Sequence, residues 1–319
     1  MASQTSSISG KKLRLAAVQA APVFLDKAAT TAKVCSLIHK AGAHGADVIG
    51  FPETFIPGYP AWVGVLPPST EPAPSLFRKL FDEAVEVPGP EVEAIRDACK
   101  QANIHAVVGI NERRPHTTGT LYNTQLFISR DGRLLHKHQK YVPTLGERLI
   151  HAPGTTGSKA SVQTEFGALS SLICGENGNP LAQYSLSLDY PVVHVASWPS
   201  HFAPGQEMQD TILTVSRGLA NSLGCFVINS VAVVDDGAIQ AYGTTLDIRE
   251  FLEEEKKMRR ATIVGPGGQI VAGPYEEREE GILYADVDLG NLIDAKYGLD
   301  YAGHYNRPEL FAHHFKEYF

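Results

Sequence analysis

The chain has 319 residues, 43% of them hydrophobic and 20% charged, and a formal net charge of −7. That balance fits a globular protein with room for one large α/β core or two small ones. The negative charge excludes the basic footprint of a nucleic-acid binder, and no apolar run reaches the roughly 20 residues of a membrane span. The lead from Met1 to Gly10 is polar and Ser-rich, with no apolar signal-peptide core. Cysteines stand at 35, 99, 174 and 225, with no CxxC pair and no metal-like clustering with histidine. Such spacing favours free thiols in a reducing cytoplasm.

In chain order, residues 13–19 read as a first strand. Residues 26–45 read as a helix, with Val34, Leu37, Ile38 and Ala41 at helical spacing. Residues 46–51 form a continuously apolar strand that runs into Pro52 and Glu53. The proline-bearing stretch 55–74 reads as a long loop, and loops of that length in compact domains are usually functional. Helices at 76–85 and 91–101 precede a strand at 106–111. Residues 121–128 alternate as a half-buried strand, turn at 130–133, and pair back through 134–138. Residues 168–173 read as a buried strand, followed by a helix from Leu181, a strand at 192–197, a helix at 208–223 and a strand at 225–232. The charged run 249–260 reads as a solvated amphipathic helix with Glu–Lys pairs. Short strands from Thr262 and Ile270 frame a turn at 266–268, and 281–287 is a last strand. Alternation interrupted by hairpins predicts a mixed sheet with helices outside. No Gly/Ser linker divides the chain, so one domain is expected over 13–308, between a flexible lead (1–12) and a short tail (309–319).

Three of the apolar strands end in reactive side chains: Glu53, Lys140 and Cys174. In open α/β sheets, sites gather beyond the carboxyl ends of strands. A carboxylate, an ammonium and a thiol meeting there form a catalytic set. The lysine is expected to lower the thiol pKa and to stabilise an oxyanion; the glutamate can take the thiol proton and later activate water. Gly175 lets backbone N–H groups approach a ligand, and the helix ahead favours a thiolate. Each member alone has a plain reading: Cys174 as a small buried hydrophobe, Glu53 as a cap acid, Lys140 as a surface charge.

The surrounding words are more specific. Phe51-Pro-Glu-Thr-Phe-Ile-Pro-Gly-Tyr-Pro60, Lys140-Tyr-Val-Pro-Thr-Leu-Gly-Glu-Arg148 and Cys174-Gly-Glu-Asn-Gly-Asn-Pro180 occur in that order. Together they resemble the nitrilase superfamily, and the resemblance runs from about Leu13 to about Pro308. Gly58-Tyr-Pro60 with Trp62, the acid Glu176, and Gly303-His-Tyr-Asn-Arg-Pro308 are similar to the nitrilase branch. The resemblance implies an α/β fold, the four-layer αββα sandwich, and thiol chemistry on a carbon–nitrogen bond. It makes Cys174 the nucleophile, Glu53 the general base, and Lys140 the stabiliser of negative charge, joined by the Gly175 N–H. Glu147 would position substrate and lysine. The implied reaction takes a nitrile through a thioimidate and an acyl-enzyme to the carboxylic acid and ammonia, with no metal or organic cofactor. It also implies a homodimer or larger homo-oligomer, paired through the helices at 181–188 and 208–223, with 235–260 as a second contact. The branch often carries Trp directly after the cysteine. Gly175 departs from that and leaves substrate size open.

Tyr59, Trp62, Trp198 and Phe202, with Glu176, are candidate pocket residues, the aromatics forming an apolar wall. His136, His138 and His201 read as ordinary hydrogen-bonding residues. Two other enzymatic outcomes share the same triad: cleavage of an amide or carbamoyl group, and hydration of a nitrile that stops at the amide. A non-catalytic oligomeric scaffold is the alternative of another class.

Overall fold

A computed structural model describes residues 10–276 and 279–318. Most of the polar lead thus lies outside the described residues. The first half of the chain holds β1 (Lys12–Ala20), α1 (Lys27–Ala43), β2 (Val48–Gly50), α2 (Ala73–Asp82), α3 (Pro90–Ala102), β3 (His105–Arg113), β4 (Leu121–Ile128) and β5 (Leu134–Gln139). The second half opens with β6 (Ser161–Thr164), β7 (Gly167–Ile173), α4 (Pro180–Ser187), β8 (Pro191–Trp198), α5 (Met208–Leu223) and β9 (Phe226–Ala232). It continues with α6 (Asp236–Tyr242), α7 (Leu246–Lys257), β10 (Thr262–Val264), β11 (Ile270–Ala272), β12 (Gly281–Asp288), α8 (Gly290–Gly298) and α9 (Glu309–Lys316).

Local chemistry sets the element ends. Asp26 caps α1 by accepting from Ala29 N at 2.8 Å. Asn179 caps α4 in the same way, with Pro180 at the first helical position. Gly224 ends α5 in the left-handed conformation.

Pairing links the strands of the described residues into one sheet that folds into two halves, β5-β4-β3-β2-β1-β12 and β11-β10-β9-β8-β7-β6. They join where the last residues of β1, Gln19 and Ala20, pair with Val231 and Ala232 of β9. The inner faces pack Leu15, Ala17, Val107 and Phe127 against Val193, Val195, Phe226 and Ile228. On the outer face of the first sheet, α1 and α3 bury Val34, Ile38, Ile95 and Cys99. On the outer face of the second, α4 and α5 bury Leu186, Ile212 and Leu219. The result is a four-layer αββα sandwich.

Strand direction places the site. β1 is parallel to both β2 and β9, and β7, β8 and β9 are parallel to one another. β5 is antiparallel to β4, which is antiparallel to β3, so β5 runs with the parallel set. The carboxyl ends of β2, β5 and β7 therefore share one edge of the sandwich. Over that edge lies a separate apolar roof, in which Trp62, Leu80, Ile239, Tyr242 and Leu252 are buried together.

Several expectations change. The stretch 55–74 is not all loop: Ala61–Gly64 forms a 3-10 turn and α2 begins at Ala73. β4 is buried along its whole length rather than on one face. The second sheet and the strand-end turns cover its polar alternates, Asn123 and Gln125. β6, α6, α8 and α9 were not legible as periodic patterns. The charged run falls mostly in a helix, α7, with Leu252 buried; the helix ends at Lys257, and Arg260 beyond it is buried and paired with Glu255 rather than solvated. All four cysteines are free. Among the described residues, no helix is long and apolar enough to cross a membrane.

Candidate active site

Glu53 leaves β2 in a tight turn in which Thr54 has a positive φ of 43°. The turn presses directly onto Gly109 of β3, where a Cβ would overlap Pro52 O and Thr54 N. Only glycine permits that approach. Glu53 is fully buried. Its Oε2 accepts from Asn123 Nδ2 at 3.0 Å and from Lys140 Nζ at 3.4 Å. Its Oε1 is buried with no protein partner, which leaves it open to a proton.

Lys140 is the first residue past β5. Its backbone is held by N–H donation to Asn123 O and by acceptance from Gly154 N, both at 2.8 Å. Its ammonium donates to Glu147 Oε2 at 2.6 Å. Glu147 sits on the 3-10 turn Leu145–Leu149, where its carboxylate also accepts from Thr144 N at 3.0 Å. Glu147 Oε1 accepts from Asn123 Nδ2 at 2.8 Å and pairs with His151 Nδ1 at 3.1 Å. His151 Nε2 in turn meets Asn111 Oδ1 at 2.8 Å. One amide, Asn123, thus bridges both glutamates, and one ammonium lies between them.

Cys174 follows β7 directly and opens the 3-10 turn Cys174–Gly178 with a positive φ of 48°. The Gly175 N–H lowers the thiol pKa slightly. The electrostatics correct one expectation. Burial and the Glu53 carboxylate push the thiol well above its usual range, and the opposing pull of Lys140 is too weak to reverse this. The resting group is a thiol, not a thiolate. Burial pushes Glu53 up to about 7; Lys140 opposes the rise and Glu147 adds to it. Glu53 can therefore accept a proton near neutral pH. Burial alone would raise Glu147, but Lys140 and His151 outweigh it and hold this carboxylate ionised, well below the usual range. Burial alone would discharge Lys140, but Glu53 and Glu147 outweigh it and keep the ammonium charged.

A cavity of about 560 Å³ opens beside the thiol, with Glu147, Cys174 and Gly175 on its wall. Tyr59, Trp198 and Phe202 line it, as does His201. An added Cβ at Gly175 meets only Thr144 Oγ1, at 3.6 Å, so there is free space next to the sulfur.

Two candidate pocket residues lie elsewhere. Trp62 is buried in the roof, edge-on to Phe24 at 6.0 Å between ring centroids. Glu176 turns back beneath the strand ends instead of forward into the cavity. It accepts from Tyr141 N at 2.5 Å and from Ile173 N at 3.0 Å, and pairs with His138 Nε2 at 2.9 Å. It thereby ties the chain beside Lys140 to the chain beside Cys174. His136 bonds Lys159 O; His201 bonds Phe202 O and Tyr242 OH. Asn123, His151 and Asn111 went unread in the sequence. The one trace of Asn123 was its place among the polar alternates of β4.

The family profile for carbon–nitrogen hydrolases matches residues 14–297. The chain is 35% identical over 308 residues to an aliphatic nitrilase of Rhodococcus rhodochrous, covering 95% of this chain and 82% of that one. It is 35% identical over 299 residues to a bromoxynil-specific nitrilase of Klebsiella pneumoniae subsp. ozaenae, covering 94% and 84%. A carbon–nitrogen hydrolase structure from Helicobacter pylori superposes with a TM-score of 0.70 over 94% of this chain and 97% of that one. At 17% identity, that last likeness bears on the fold alone. By profile, relatives and fold together, the chain belongs to the carbon–nitrogen hydrolase family and so to the nitrilase superfamily.

Proposed function

We propose that this chain is a nitrilase that hydrolyses an organic nitrile to its carboxylic acid and ammonia through a Glu53–Lys140–Cys174 triad. The observation that carries this reading is the buried ammonium of Lys140 held between Glu53 and Glu147, the latter lining the same cavity as Cys174. As the nitrile docks, Glu53 takes the thiol proton and the sulfur attacks the nitrile carbon. The nitrogen gains charge beside Lys140 and the Gly175 N–H, takes up a proton, and a thioimidate results. Glu53 then activates a water; the tetrahedral adduct expels ammonia and leaves a thioester. A second water frees the acid and restores the thiol. Two waters are consumed for each ammonia and acid formed. Ionised Glu147 keeps Lys140 charged and in place.

The lining of Tyr59, Trp198 and Phe202 supports an apolar or aromatic substrate arm. The same reading has the protein in the cytoplasm as a homodimer or larger homo-oligomer, and the exposed Leu181, Leu188 and Tyr190 on and after α4 support an apolar contact there. The test is a panel of nitriles and their matching amides, scored for ammonia and for the amide-to-acid ratio. Acid and ammonia from nitriles, abolished in Cys174→Ala, is the expected result. Turnover of amides alone would replace this reading with an amidase, and amide as the sole product with a nitrile hydratase-type outcome.

A further inference from the structure

A trans peptide carries its N–H and its C=O on opposite sides of one rigid plane. Among the described residues, the cis bonds all precede prolines, so the Cys174–Gly175 peptide is trans. Its carbonyl accepts from Asn177 Nδ2 at 2.9 Å, so its N–H points away from Asn177, and both residues of the peptide line the cavity. Whatever grips that carbonyl also sets the direction of the Gly175 N–H. The grip is needed, because Cys174 is in the left-handed region that residues with a Cβ resist.

The grip is itself held. Asn177 is fully buried, and its amide nitrogen also donates to Leu172 O at 3.2 Å. Both amide protons are thus engaged, and Oδ1 must accept. Its partner is His194 Nε2 at 2.8 Å, so the ring proton is on Nε2. Nδ1 is then bare and accepts from the Ser170 hydroxyl at 2.8 Å. Burial lowers His194 to about 3, which keeps the ring neutral and this tautomer in place. The chain of bonds runs from β7 to β8 and back to the nucleophile turn, and none of the three side chains lines the cavity.

We propose that Ser170, His194 and Asn177 are positioning residues that aim the Gly175 N–H at the anion formed beside Cys174. The inference rests on the reading of that N–H as an anion donor. Asn177→Asp keeps the shape but sets an oxygen against the Cys174 carbonyl. Ser170→Ala leaves the turn intact and frees only the histidine tautomer. Each variant is assayed for kcat and KM on one nitrile, and for inhibition by the aldehyde of the same carbon skeleton. The aldehyde adds to the thiol: an S–C bond forms, the carbonyl π bond opens, and the oxygen takes the charge and then the thiol proton.

Direct loss of an oxyanion donor costs roughly 100- to 1,000-fold in kcat, so an indirect loss is expected at about 10- to 100-fold in Asn177→Asp and less in Ser170→Ala. The aldehyde Ki should weaken by the same factor in each variant, with KM moving less than about twofold. A merely structural role would lower the active fraction and leave the Ki of the surviving enzyme unchanged. Unchanged aldehyde affinity in both variants, with turnover still abolished in Cys174→Ala, overturns this inference alone. If Asn177→Asp does not fold, Ser170→Ala decides the matter by the same comparison. Turnover surviving in Cys174→Ala overturns the nitrilase triad itself.

Discussion

Replacing Lys140 by methionine keeps most of the side chain's length and removes its charge. The ammonium stands 2.6 Å from Glu147 Oε2 and 3.4 Å from Glu53 Oε2, with all three side chains buried. On the proposed triad the developing anion loses its cation, which costs about 100- to 1,000-fold in kcat, or about 2.7–4 kcal/mol. Glu53 also loses the charge that opposes its rise. Burial and Glu147 then act together, and the carboxyl moves above about 7. At pH 7 the wild-type base is about half ionised, and each further unit of rise cuts that fraction roughly tenfold. Around neutrality the combined loss is therefore expected at about 1,000-fold or more. Breaking a buried ion cluster costs roughly 3–5 kcal/mol of stability, so the fold is checked by circular dichroism and thermal melting. The assay is ammonia release from about pH 6 to about pH 9. The wild-type rate should rise with pH through about 7 as Glu53 ionises, and the variant's limb should lie higher. A folded variant within about tenfold of wild type at its own optimum would refute Lys140 as the anion's partner. An unshifted limb would refute its coupling to Glu53.

Three further outcomes follow from the same geometry. Because burial and Glu53 raise the Cys174 thiol, iodoacetamide should alkylate it slowly at neutral pH and faster in alkali; rapid, pH-independent alkylation would show a resting thiolate and refute the electrostatic account. Gly175→Trp should fold, since the position has free space, and should shift preference towards smaller nitriles or alter the amide-to-acid ratio; an unchanged substrate profile would show that an indole here does not enter the cavity. Glu176→Gln leaves one acceptor for the three donors at Tyr141, Ile173 and His138, so kcat should fall about tenfold or more with little change in KM, one to two lost charge-assisted bonds being worth about 1.5–3 kcal/mol each. A raised KM with unchanged kcat would return Glu176 to the pocket wall.

Local pattern in the chain determined a good deal about this protein. The helix at 208–223 and the strand at 121–128 are observed with those bounds, because helical spacing and strand alternation are properties of neighbours in sequence. Glu53, Lys140 and Cys174 could be picked out by their strand ends together with the motifs around them, because sites gather beyond the carboxyl ends of strands. The environment of those side chains is another matter. The thiol rises although a lysine is near, because burial and a second charge decide the balance, and neither is written in the residues around Cys174. Trp198 faces the cavity while Trp62 packs in the roof, and composition does not distinguish two buried indoles. Asn123 meets glutamates 70 and 24 residues away, and Asn177 meets a histidine 17 residues on. Such pairings exist only once two sheets have closed on each other, because a buried polar group takes its partner from whatever the packed layers bring within reach.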